Sequence, residues 1–396
     1  MENVAADHRI KGNKRAEYLS LIAFTVILFD SLITYFLNAL GVHFPVNAFL
    51  VLLLFILLLE SRGRSIRMSI TASVLLFMGV LSFSVGIVTI PQVDYTRLLT
   101  LGSAVCAFFI GVSCVNNIKN VDRFANVCIF ICLVYCLVCM LALLKLYPPL
   151  FPLHLSLGFR DGVQVIRPEI TTDQNFQIFY LLPGILVLAL PFRIKRFLLA
   201  FTCFCLSFYI LTQLKTRSGI LVLLGTLLLC TFSPIGSRQL GKTKIIALPI
   251  FMGIVALIFL PLIVGFSTGL LERFVGSYHT LYGRIISIIY LFKHIFLPEW
   301  WIPQGNAAFV KMTGNLPHSN ITAFFLEGGL LGLVAWIGLF FSPIVYLSIK
   351  FTSQKLSILS IVLLIGCIAS VATQLSLNAP LHEHVWFWAG IGVSLC

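Results

Sequence analysis

Long apolar runs set the limits on what this chain folds into. A helix needs about 20 apolar residues to cross the hydrocarbon layer of a bilayer. The sequence carries twelve candidate runs, at 18–38, 45–59, 68–90, 97–116, 124–147, 175–192, 197–213, 218–234, 245–266, 320–346, 356–376 and 385–396. The second and last are short. Only 10% of the 396 residues are charged, against about a quarter in a soluble domain. The expectation is an all-α, polytopic integral membrane protein of about twelve transmembrane helices, with one transmembrane domain over 1–396 and no separate soluble domain. The first run lacks a small-residue cleavage site and reads as a retained span. There is no internal repeat, so the inverted-repeat signature of many transporters is missing.

Lys and Arg orient the spans. With the N-terminus on the cytoplasmic side, the inner segments hold Arg9, Lys11, Lys14, Arg15, Arg62, Arg64, Arg67, Lys119, Arg123, Arg193, Lys195, Arg196, Arg238, Lys242, Lys244, Lys350 and Lys355. These inner loops are short and basic, as the positive-inside rule requires. The net charge of +13 follows mostly from that rule. No basic run interleaved with aromatics occurs in a soluble segment, so nucleic acid is not an expected partner. The cysteines fall almost entirely in apolar runs and read as small buried side chains; neither a disulfide framework nor a metal site is expected.

The cations left on the outer side are concentrated. Lys145, Arg160 and Arg167 belong to a loop near 148–174. Lys215 and Arg217 occupy a tight turn in LTQLKTRSGILVLLG. Arg273, Arg284, Lys293 and Lys311 lie in a long loop, 267–319. That loop contains LLERFVGSYHTLYGRIISIIYLFKHIF, whose three- and four-residue apolar spacing predicts amphipathic helices at the outer interface. Glu299-Trp300-Trp301 reads as an interfacial aromatic anchor.

Cations on the disfavoured side point to an anionic substrate, and a lipid phosphate or diphosphate is the anion expected at that depth. An arginine grips phosphate oxygens with a planar fork and stays charged. The plain alternative for Arg217 is a cation snorkelling at a span end, and for Arg284 the polar face of an interfacial helix. Pro317-His318-Ser319-Asn320 stands where the long loop meets the tenth span, and a histidine there is either structural or a proton shuttle. Asp30 and Glu327 are the clear intramembrane charges. Straight-helix geometry places Glu327 about two turns below the outer surface. It is either a packing carboxylate paired with an outer arginine or a group that holds a catalytic cation. Asp30 has no partner legible in the sequence. His382-Glu383-His384 has the wrong spacing and too few ligands for zinc, and a place lining an outer cavity suits it better.

Taken in order, these segments resemble the O-antigen ligase and polymerase family of bacterial inner-membrane enzymes. LTQLKTRSGILVLLG resembles the family's T-x-[ST]-R-[GA] entry into a span. LYGRIISIIYLFKHIF resembles its G-x-R-x-x-x-[WY] segment. LPHSNITAFFLEGGLLGLVAWIGLFF resembles its H-[NS] stretch followed by E-x-G-x-x-G, and RPEITTDQNFQIFYLLPGILVLAL its D-x-N before a long apolar run. The resemblance covers about 165–345. The chain departs from the pattern with Lys-Thr-Arg in place of a hydroxyl pair, a compact long loop and no C-terminal tail.

The resemblance implies a GT-C-type fold and a metal-independent glycosyltransferase without a cofactor. The donor would be an undecaprenyl-diphosphate-linked glycan and the acceptor lipid A–core oligosaccharide. The chain would be embedded in inner-membrane lipid, with its N-terminus cytoplasmic and its site periplasmic. Arg217, Arg284 and His318 are the matching catalytic positions. Two arginines would stabilise the diphosphate leaving group, and His318 would take the acceptor's proton. Lys215, Arg160, Arg167, Tyr282 and Asn320 would contact substrate. An O-antigen polymerase shares the donor, and a lipid-linked-glycan flippase is the alternative from another class.

Overall fold

The computed structural model describes residues 2–41, 46–61, 68–88, 95–144, 146, 155–160, 163–168, 177–191, 193–214, 216–232, 287–305, 319–353, 357–375 and 381–396. The described chain is predominantly helical. The first helices are α1 (Glu2–Leu28), α2 (Asp30–Ala39), α3 (Val46–Ser61), α4 (Ile70–Val88), α5 (Tyr95–Asn117) and α6 (Val121–Leu143). Next come α7 (Gln177–Leu186), α8 (Ile194–Gln213), α9 (Arg217–Phe232) and a helical stretch at 287–294, α10. The last four are α11 (Asn320–Trp336), α12 (Ser342–Ser353), α13 (Ile358–Gln374) and α14 (Glu383–Leu395). A π-helical turn, Ile337–Phe341, joins α11 to α12.

Five helical stretches are long and apolar enough to cross a membrane: Ile70–Val88, Thr96–Asn117, Val121–Leu143, Ile194–Gln213 and Asn320–Leu347. Helices are the solution because hydrocarbon offers the backbone no hydrogen-bond partner, so each segment must satisfy its own N–H and C=O groups. The outward faces are as apolar as the inward ones: Phe55, Phe77, Leu99, Phe130, Leu198 and Leu221 are all exposed. A bundle in water would not carry so much exposed apolar surface.

The all-α expectation takes one amendment. Within the 148–174 loop, β1 (Leu155–Arg160) and β2 (Val163–Pro168) pair antiparallel. The register sets Arg160 opposite Val163 and Arg167 opposite Ser156.

At the centre, α14 packs along the length of α5. Small residues permit it. A Cβ on Gly111 would lie 2.3 Å from the Phe387 carbonyl oxygen, and one on Gly390 2.0 Å from that of Phe108. With little hydrophobic drive between helices in lipid, such backbone contact is what holds them. Contacts run in register from Ser103–Glu383 through Phe108–Gly390 to Val112–Ser394, so the two helices are parallel. Around them α1, α3, α6, α7, α9 and α13 complete one continuous core, filled by Trp386, Trp388, Tyr135 and Phe108. α10 buries Ser287, Leu291 and His294, and it turns Ile288, Ile289 and Phe292 outward. Its buried face meets Phe325, Leu326 and Leu333 of α11. Trp301 is exposed just beyond it and donates through Nε1 to the Ile295 carbonyl, while Trp300 packs edge-on against His294. The expected span at 245–266 and most of the 267–319 loop lie outside the described residues.

Candidate functional site

The α8–α9 turn is held by Thr216. This buried residue donates from its backbone N–H to the Leu211 carbonyl at 3.0 Å and from Oγ1 to the same oxygen at 3.2 Å. Its own carbonyl accepts from Ile220 N at 3.1 Å, which starts α9 with Arg217 as the first helical residue. Lys215, Tyr282, Arg284 and His318 lie outside the described residues, and Arg217, Arg160 and Arg167 are placed by their backbones only.

α11 starts at Asn320, which is fully buried. Ser319 is the N-cap with extended backbone (φ −153°, ψ 132°), yet its side chain makes no capping hydrogen bond. The helix is not straight. Gly329 sits at φ 65°, ψ −161°, inside what is otherwise continuous helix. A positive φ favours glycine, and space demands it as well, since a Cβ there would lie 2.4 Å from the Trp301 carbonyl oxygen. The polar groups freed by the break find partners. Leu330 N donates to Trp301 O at 3.1 Å, Gly305 N donates to Glu327 O at 3.3 Å, and Ser82 Oγ donates to Gly328 O.

Glu327 precedes the break, about two turns from the start of α11 as straight-helix geometry predicts, and Arg97, the third residue of α5, reaches it at 3.4 Å. The arginine pairing expected for a carboxylate in an apolar run is present.

Asp30 finds partners that the sequence did not reveal. His384 Nε2 lies 3.3 Å from Asp30 Oδ1, and the Tyr180 hydroxyl donates to the same oxygen at 3.3 Å. His384 is fully buried, stacked on Phe179 and edge-on to Tyr180. Among the described residues, nothing pairs with its Nδ1. Tyr180 stacks on Tyr135 at 4.6 Å, and the Tyr135 hydroxyl donates to Gln177. One residue from His384, Glu383 accepts from Ser103 at 2.6 Å. His382 caps α14 by accepting from His384 N. Burial, and then the neighbouring His384, push His382 down to about 4, with Asp30 pulling the other way. It is neutral at physiological pH.

Helices from both termini and the middle of the chain therefore meet in one polar cluster: α2, α5, α7 and α14. Asp30, Tyr180 and His384 stand in the first turns of α2, α7 and α14. The signal was available in the sequence as Asp30, an isolated carboxylate in the first apolar run, and the His382-Glu383-His384 cluster just before the last run. Among the described residues, no group of three or more His, Cys, Asp or Glu is placed to hold a metal ion.

No protein-family model matches this chain, and no characterised protein matches it.

Proposed function

We propose that this chain is a glycosyltransferase of the O-antigen ligase type, with about twelve spans and a GT-C-type fold in the bacterial inner membrane. It would move a polysaccharide from undecaprenyl diphosphate to lipid A–core at the periplasmic face. The observation that carries the reading is where the motif positions fall. α9 begins on Arg217, and α11 begins two residues after His318. Helix starts are where backbone N–H groups and the helix dipole already favour an anion. An arginine there adds a second, directional grip on a diphosphate leaving group. His318, beside the other helix start, would accept the acceptor hydroxyl's proton as it attacks.

The test is deletion of the gene in a smooth strain, followed by gel analysis of its lipopolysaccharide. Bare core, with long glycan accumulating on the polyprenyl carrier, is the expected result. Core bearing a single repeat would assign the chain as a polymerase instead, and an unchanged ladder removes both readings. Arg284→Lys should complement poorly, because lysine keeps the charge and loses the fork.

One observation favours a lipid-linked-glycan transporter as a second reading: Asp30 and His384, in the first turns of α2 and α14, form a buried ionisable pair, the kind of couple that transporters use. That reading requires the Arg217 region to become reachable from the cytoplasm. Labelling of a cysteine introduced beside it, from each side of the membrane, decides between the two.

A further inference from the structure

Three helix starts converge on a couple that the proposed glycan transfer does not use. Asp30 is the first residue of α2, Tyr180 the fourth of α7 and His384 the second of α14. Asp30 Oδ1 accepts from the Tyr180 hydroxyl and faces His384 Nε2, both at 3.3 Å. The His384 ring is fully buried, with Phe179 stacked on it at 5.6 Å and Tyr180 edge-on at 4.8 Å. Its Nδ1 has no hydrogen-bond partner among the described residues.

These contacts decide how many protons the couple holds. With one proton, Nε2–H donates to the Asp30 carboxylate and Nδ1 carries a bare lone pair. Two donors and the positive pole of α2 keep Asp30 ionised, so a second proton goes to the ring and puts a hydrogen on Nδ1. There it meets no acceptor among the described residues, and an unmet donor in apolar surroundings is expensive. The charge is also badly placed, because a cation in the first turn of α14 stands at the positive pole of that helix. The packed arrangement therefore suits one proton and opposes two. Asp30 nevertheless draws a second proton once Nδ1–H finds an acceptor. Turning the ring or admitting a water supplies one, and either opens the contact between α14 and α7. Farther along, α14 is locked, since Gly390 lies against the Phe108 backbone. The opening is thereby confined to the first turn of α14 and the helix starts beside it.

We propose that Asp30 and His384 form a proton-operated latch: with one proton they hold the starts of α2, α7 and α14 together, and a second proton on His384 releases them. The closed form is favoured at high pH and loses ground as pH falls, because the released form takes the second proton more readily. The titratable groups facing His384 are Asp30 on α2, Tyr180 on α7, and His382 and Glu383 immediately before it. Tyr135 of α6 stacks behind Tyr180, and α5 contributes Ser103, which donates to Glu383. His382 is held down at about 4, whereas burial, and then Asp30, lift the Glu383 carboxyl. Glu383 is therefore the group whose titration must be separated from that of His384. The latch does not rest on the ligase reading, and it stands or falls whatever deletion does to the lipopolysaccharide ladder.

The experiment follows amide hydrogen exchange of the purified full-length chain in nanodiscs from about pH 8 to about pH 5, the interval in which a histidine changes charge. After correction for the chemical exchange rate, wild type should lose about tenfold or more of its protection at 177–181 and 383–388 as pH falls, while 389–395 keeps it. His384→Gln should show no such loss, and Glu383→Gln and His382→Gln should respond as wild type does. Asp30→Asn keeps an acceptor for Tyr180 and His384 and removes the charge, so its loss should come about one pH unit or more lower. Histidine-selective 15N NMR, with the His384 signal assigned by its absence from His384→Gln, should show a bare Nδ1 at about pH 8. Protection that ignores pH in wild type, or a loss that survives in His384→Gln, overturns the latch. So does a response abolished by Glu383→Gln or His382→Gln alone, a loss that spreads evenly through 389–395, or a hydrogen on Nδ1 at the high-pH end. If His384→Gln does not fold, Asp30→Asn decides, and an unmoved midpoint in that variant overturns the latch.

Discussion

The two ends of the helix bundle handle charge differently. At the end bearing Lys119 and Arg193, Asp122 pairs with cations at the solvent-exposed surface, and the buried Glu17 is fully matched at the start of α6. Glu17 accepts from Lys119 N at 3.2 Å, Asn120 N at 2.8 Å and the Arg123 guanidinium at 3.2 Å. Asp122 pairs with Arg193 at 2.9 Å and with Arg196, and Asn120 caps α6. At the other end, Asp30, His384 and Glu327 are buried, and among the described residues His384 Nδ1 and Thr322 Oγ1 have no hydrogen-bond partner. Charge at a wetted helix end costs little and contributes little. Charge carried into the bundle is expensive. The Arg97–His384 end is the one to which the proposed function assigns its chemistry.

Four substitutions and a titration break or sharpen this contrast. The largest effect should come from Gly390→Val, which drives a side chain into the Phe108 backbone and separates α14 from α5. A loss of about 3 kcal/mol or more is expected, read as the thermal unfolding of purified protein in detergent. Asp30→Ala comes next, at about 1–3 kcal/mol, because it removes the acceptor that the Tyr180 hydroxyl and His384 Nε2 share inside the bundle. If Asp30 and His384 are both replaced by leucine, much of that loss should return, since a buried polar pair gives little net stability over apolar packing of similar shape. A double variant as unstable as the single one would mean that the pair holds the fold rather than serving a site. Glu327→Gln keeps the shape and removes the ion pair with the partly exposed Arg97, so about 1 kcal/mol is expected.

The pH dependence should be gentler. The fold holds His382 neutral and pushes it from 6.5 to about 4. Stability is therefore fully present above pH 6.5 and declines as pH falls toward 4, where the unfolded chain takes up a proton that the folded one refuses. The groups facing it are His384, Asp30 and Glu383. Melting temperatures of wild type and His382→Gln across that range should converge at the low end, with a flatter slope in the variant. Smallest of all should be Asp122→Ala at the opposite end, below about 1 kcal/mol. Should Asp122→Ala cost as much as Asp30→Ala, the contrast between the two ends fails.

Much of the helical layout was legible in the sequence. The apolar runs at 68–90, 97–116 and 124–147 correspond to α4, α5 and α6 within a few residues, because a hydrophobic run in a membrane has almost no other way to satisfy its backbone. The arginine partner of Glu327 was also legible, since a lone carboxylate in an apolar run requires a cation. The hairpin at 155–168 was not, because short amphipathic strands in a polar loop leave a weak pattern. Nor was the break at Gly329. E-G-G-L reads equally as a helix that packs closely, and only the carbonyl of Trp301 pressing from outside decides it.

The sequence by itself determined that the chain is a largely helical membrane protein, which cations stand apart from the positive-inside pattern, and which polar residues sit where apolar ones are expected. Those properties follow from local composition and the bilayer's dimensions, which act on each segment separately. Only the tertiary structure decided that Asp30 meets His384 across 354 positions, that Arg97 is the arginine that meets Glu327, and that α11 breaks at Gly329. Each of these depends on close approach between segments far apart in the chain. Glycines at 111, 329 and 390 permit that approach, and no local pattern states which neighbour will fill the space that they leave.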